Sequence, residues 1–167
     1  MMLALRIIHI GAGVFWAGSV IFLSFYLMPA VGRAGPDGGR VMQELQKGRL
    51  MQVLPAAALA TILSGAWLMW TLSGGFHPRF FGSGYGVSLT IGAVASIIAF
   101  LIGVTVMRSA QLRMTELAPR IATAADDERA RIGAEVAALR ARSGRASRAV
   151  AWLLVVAVLT MAAARYL

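Results

Sequence analysis

LRIIHIGAGVFWAGSVIFLSFYLMPAVGR, residues 5–33, holds no charged side chain between Arg6 and Arg33. A helix needs about 20 mainly apolar residues to cross a hydrocarbon layer about 30 Å thick, and this stretch exceeds that length. It is too long for the apolar core of a signal peptide and reaches Met28-Pro29 without a small-residue cleavage pattern, so it reads as a retained membrane helix.

Three more stretches lack Asp, Glu, Lys and Arg: Leu50–Pro78, Phe80–Met107 and Ala149–Ala164. The last is short, but Arg148 and Arg165 flank it, and their stems can snorkel to the interface. Spans are expected at 7–30, 50–72, 86–108 and 148–166, within a single transmembrane domain covering 1–167. Composition agrees. Hydrophobic residues make up 59% of the 167, charged residues 14%, and mean hydropathy is +0.74, against about a quarter charged in soluble domains. The fold class expected is all-α, an integral membrane four-helix antiparallel bundle.

Net charge is +9, yet the arginines lie between apolar runs and do not cluster with aromatics on one face, which argues against nucleic acid as a partner. Their distribution orients the chain instead. Arg33, Arg40, Lys47 and Arg49 lie between spans 1 and 2, and nine arginines lie between spans 3 and 4, from Arg108 to Arg148. Only Arg6, Arg79 and Arg165 fall on the other side, a thirteen-to-three split. By the positive-inside rule the basic connections are cytoplasmic and both termini periplasmic, in a bacterial inner membrane.

Lipid is as apolar as leucine, so close approach at small residues is what holds such helices together. Candidate seams are Gly11–Phe15–Ser19 with Gly13 and Ala17 beside it, Ala57–Thr61–Gly65 with Ala60 and Ser64, and Ser88–Gly92–Ser96. His9, Gly13, Trp16 and Val20 share a helix face, which points His9 and Trp16 inward. Segment 109–147 is expected as a short cytoplasmic helical hairpin, with Pro119 ending the extension of span 3 and Ser143-Gly144 forming a hinge. Asp126, Asp127 and Glu128 suit a helix start. Gly35-Pro36-Asp37-Gly38-Gly39 lacks a phosphate-loop pattern and reads as a turn.

The chain contains no cysteine, which removes disulfides and thiolate chemistry. No Ser/His/Asp or paired-carboxylate set shares one side, so the reading leans away from an enzyme. Two cofactors suit the remaining donors. Heme b would use His9 with Met69 or Met161 opposite. Copper, as Cu(I), would draw on His9, His77 and the outer methionines. Against both stands a structural His9 satisfied by a backbone carbonyl or headgroup water. Trp67, Trp70, Phe80, Phe81 and Tyr85 form the expected belt of lipid and partner contacts at the outer face.

His9, Trp16-Ala17-Gly18 and Pro29 give helix 1 a resemblance to small bacterial membrane proteins of the copper-resistance-D-like group. A weaker likeness is to the four-helix membrane protoporphyrinogen oxidase, whose later intramembrane histidine and basic residue have no counterpart here. The resemblance implies a four-helix bundle with copper or heme chemistry at His9. From the residues themselves the expected function is a non-catalytic accessory subunit, in contact with lipid and with other subunits of a respiratory or photosynthetic membrane complex.

Overall fold

The computed structural model describes residues 1–167, apart from the side chains of Pro36, Gln46, Met51 and Ala122. Every regular element among the described residues is helical: α1 (Met2–Phe22), α2 (Met28–Arg33), α3 (Gly35–Lys47), α4 (Leu50–Leu72), α5 (Pro78–Phe81), α6 (Gly84–Ile102), α7 (Arg108–Thr123) and α8 (Asp126–Ala163). Two π-helical segments, Leu23–Leu27 and Gly103–Met107, join α1 to α2 and α6 to α7 without a break. Four helical stretches are long and apolar enough to cross a membrane: Met2–Arg33, Gln52–Leu72, Gly84–Ile121 and Asp126–Tyr166. The chain is all-α with the composition of a multi-pass membrane protein.

The helices overrun their expected bounds at several places, and Gly35-Pro36-Asp37-Gly38-Gly39, expected as a turn, begins α3. The first continues through Pro29 to Arg33. Proline lacks an N–H and its ring crowds the carbonyl four residues back, here Phe25. The preceding turn is widened to π geometry, Met28 N–H donating to the Leu23 carbonyl, and the helix passes the proline without ending. Pro119 likewise sits inside α7, which runs on to Thr123. The last turns of α7 are held by Leu117, 1% exposed, against Ile132 of α8, with Ile121, Val136 and Leu139 packed around them. Ser143-Gly144 is no hinge. The 38 residues of α8 are continuous, because Leu139 and Val150 are packed on either side of the glycine and outweigh its helix penalty of about 1 kcal/mol.

α1 packs along α4 and α8, and α6 packs along α8, with a shorter contact to α4. The shared core is Trp16, Ala17, Ala58, Ala99, Val150 and Leu154. The expected stripe on α6 is correct: Ser88, Gly92 and Ser96 are all buried, together with Ala95 and Ala99. The expected stripe on α1 is displaced. Gly11 is exposed and Phe15 is 42% exposed, while Gly13 and Ala17 make the seam. A phenylalanine in the stripe would hold the backbones apart; at Gly13 a Cβ would stand 3.3 Å from the Thr61 methyl. Large apolar side chains, among them Ile7, Ile10, Val14, Leu63, Ile91 and Leu159, are exposed along the helix flanks.

Candidate functional site at the histidine end

His9 lies two turns into α1, half-buried against α4. Its Nδ1 is 2.9 Å from the Thr61 carbonyl oxygen and 3.4 Å from Ser64 Oγ. A carbonyl only accepts, so Nδ1 carries the proton, and in the neutral imidazole the lone pair is on Nε2. The Thr61 and Ser64 hydroxyls are occupied within α4, donating to the Ala57 and Ala60 carbonyls. Gly65 makes the approach possible: a Cβ there would lie 2.7 Å from His9 Cε1. The inward face expected for His9, Gly13 and Trp16 is the face observed. His9→Ala removes a single interhelical hydrogen bond, which in a membrane contributes about 0.6 to 1.7 kcal/mol. A detergent-solubilised variant should therefore melt only slightly earlier by circular dichroism, and a collapse of the fold would show that His9 carries more than this bond.

The other expected donors are dispersed. Met69 is half-buried on α4, one turn beyond Gly65. Met161 belongs to a different seam, where it covers Gly92 of α6; a Cβ on that glycine would be 2.8 Å from Met161 Cγ. His77 is exposed and caps α5, its Nδ1 accepting from Arg79 N–H at 3.3 Å. No group of three or more His, Asp or Glu side chains with metal-binding geometry occurs among the described residues.

Four of the five expected aromatic contacts are brought together by the turn after α4. Gly74, Gly75 and Phe76 all adopt positive φ, 64°, 81° and 65°. This left-handed run folds Phe76 back edge-on to Trp70, with ring centroids 5.1 Å apart. The chain of rings continues through Phe81 and Phe80 to Tyr85. Trp67 is 53% exposed and lies outside this series of ring contacts.

Two polar contacts escape the sequence reading. Ser88 Oγ donates to the Thr160 carbonyl at 2.8 Å, and Ser24 Oγ lies 2.6 Å from Ser147 Oγ. The first has a traceable signal, since it repeats the His9 arrangement. His9 bonds the Thr61 carbonyl, and Gly13, one turn on, packs on Thr61. Ser88 bonds the Thr160 carbonyl, and Gly92, one turn on, packs on Thr160 and Met161. Ala58 and Ala157, each one turn before its threonine, are both buried. Each half thus has a helix, a π segment and a returning helix, pinned at one end by a polar side chain on a threonine carbonyl. Outside the apolar stretches, Arg113 is held above the ordinary arginine pKa by its hydrogen bond and charge pairing with Glu135, and by Glu116. No family model, curated protein or solved structure matches this chain.

Proposed function

We propose that this chain is an accessory subunit of a larger membrane complex: a four-helix antiparallel bundle in the bacterial cytoplasmic membrane, both termini periplasmic, with α7 and the first half of α8 projecting into the cytosol. The thirteen-to-three split of basic residues supports this orientation. The observation that carries the functional reading is the length of α7 and α8 beyond their apolar stretches. Helix-to-helix connections in bundles commonly take about 2–8 residues. Here α8 alone, 38 residues, is roughly 57 Å long, well beyond a hydrocarbon layer of about 30 Å. Its extra length is braced by α7 through Leu117 and Ile132 and by Arg113–Glu135 and Arg120–Glu128 pairs at 2.8 and 3.0 Å. A braced, charged hairpin suits docking against a protein partner better than reversing the chain. Purification from native membranes in mild detergent is expected to give a large co-migrating species that is lost when the hairpin is destabilised. Migration solely as a small free chain would overturn the proposal.

One observation favours a second reading, a ligand site at His9. Nδ1–H on a backbone carbonyl fixes the tautomer and directs Nε2 away as a donor, the usual support of a metal-bound imidazole. His9 and Met69 lie on the α1/α4 pair and Met161 on the α6/α8 seam, so an imidazole with one thioether suits Cu(I) better than a macrocycle bridging both seams. Stoichiometric copper in the purified chain, lost in His9→Ala, is the expected result on this reading. Absence of copper and of a Soret band, or copper unaffected by the substitution, ends it.

A further inference from the structure

We propose that the seam between α1 and α8 at the arginine-rich end binds one anionic diacyl phospholipid; this rests on the membrane reading above and is independent of the partner complex. Trp152 projects from α8, 61% exposed, and Phe25 from the first π segment meets it edge-on with centroids 5.5 Å apart. Together they form an apolar ledge on the outside of the helix pair, held from beneath by the Ser24–Ser147 contact. At 100° per residue, Arg142, Arg145 and Arg148 fall within roughly 80° of Trp152, one to three turns towards the hairpin. All three are exposed.

Two contrasts within the chain argue that this patch is for a ligand. The first is charge. Arg113, Arg120 and Arg129, near the hairpin tip, each hold a carboxylate, while Arg142, Arg145 and Arg148 have none among the described residues. Arg131 and Arg140 hold none either, but Arg142, Arg145 and Arg148 are the ones that stand beside the aromatic ledge at the apolar boundary. The second is the repeat. Matching Thr61 to Thr160 puts Val53 where the other half has Trp152, and the second π segment, Gly-Val-Thr-Val-Met, contains no aromatic. Two halves sharing the same pin and the same π turn differ here, so packing alone does not require the aromatic ledge. Guanidinium groups pair with phosphate oxygens, and the rings below offer a surface to the acyl chain. A free phosphate would gain nothing from the ledge.

Native mass spectrometry of the detergent-purified chain with palmitoyl-oleoyl phosphatidylglycerol, and separately with the matching phosphatidylcholine, tests the site. Preferential retention of phosphatidylglycerol is expected. At about 1 kcal/mol per basic residue, R142Q/R145Q/R148Q should weaken it roughly 100-fold, and R145Q alone, should the triple variant misfold, about fivefold. Trp152→Leu should shorten retention of the same lipid, and R49Q, the corresponding position of Arg148 in the other half, should leave it unchanged. Equal retention of the two lipids, undiminished retention in the arginine variants, or full competition by glycerophosphoglycerol without acyl chains would overturn the proposal. The readout uses the isolated chain, so loss of the large native species leaves it standing.

Discussion

Gly86→Ala should lower the melting temperature by roughly 10 °C, the largest effect expected of any single methyl group in this chain. A Cβ at Gly86 would overlap the Phe80 carbonyl oxygen and stand 2.6 Å from its carbon, with Phe80 Cδ1 at 3.0 Å. That carbonyl cannot easily retreat. It accepts from Ser83 Oγ at 2.7 Å, and the same hydroxyl accepts from Gly86 N–H at 3.0 Å as the cap of α6. Phe80 is also fixed by its edge contacts with Phe81 and Tyr85. The clash is with backbone, so relief means unwinding the first turn of α6 or breaking the ring cluster. Overpacking costs about 1–3 kcal/mol, and a backbone clash belongs at the top of that range. At 2–4 °C per kcal/mol for a chain of this size, about 3 kcal/mol gives the stated shift. Gly82→Ala is the control: its Cβ would meet the Arg79 carbonyl oxygen at an ordinary 3.8 Å, and φ there is −87°. Equal melting of the two variants, followed by circular dichroism in detergent, would refute the argument.

Leu117→Ala should cost about 3 kcal/mol and Leu154→Ala about 1, although the two leucines are 1% and 2% exposed. The difference comes from the solvent. On the membrane reading proposed above, Leu117 sits in the water-exposed hairpin, where truncation forfeits both transfer from water and the packing around the cavity. Leu154 sits in the core shared with Trp16 and Ala58, within a stretch apolar enough to span a membrane. Lipid is as apolar as the side chain, so only the cavity remains. The hairpin has a small core of its own, and the Leu117 loss falls on that core alone. Amide hydrogen exchange should show Arg108–Thr123 losing protection in Leu117→Ala while α1, α4 and α6 keep theirs. Unchanged exchange in α7, or a larger loss for Leu154→Ala, would contradict this.

The four long helices were readable because charge-free length is a direct consequence of the solvent. Trp16 and the Ser88–Gly92–Ser96 stripe were readable for a related reason: bulky polar-tipped and small side chains have few other places on such a helix. Helix 1 was harder. Gly11 and Gly13 offer equivalent stripes by composition, and the bulk of Phe15 decides between them only once α4 is in place. Local punctuation misled at Pro119 and Ser143-Gly144, where tertiary packing outweighs a residue's own preference. The π segments leave no periodic signal, since one inserted residue merely shifts the phase of the pattern. At the candidate site the inward direction of His9 followed from its spacing to Gly13 and Trp16. Its carbonyl partner depends on Gly65 lying opposite, which is a property of two helices and not of one.

An unbroken α8 also has a mechanical meaning. A rod without a joint cannot absorb a sideways load where it is applied. Sliding is resisted where Ser147 meets Ser24 and where the Thr160 carbonyl takes the Ser88 hydroxyl. A push on the hairpin tip therefore emerges as a tilt of the entire rod about the Ser24 contact, and it is felt at Thr160, about 20 Å further along. Whatever grips the tip holds a lever whose short arm ends beside Gly92 and Met161.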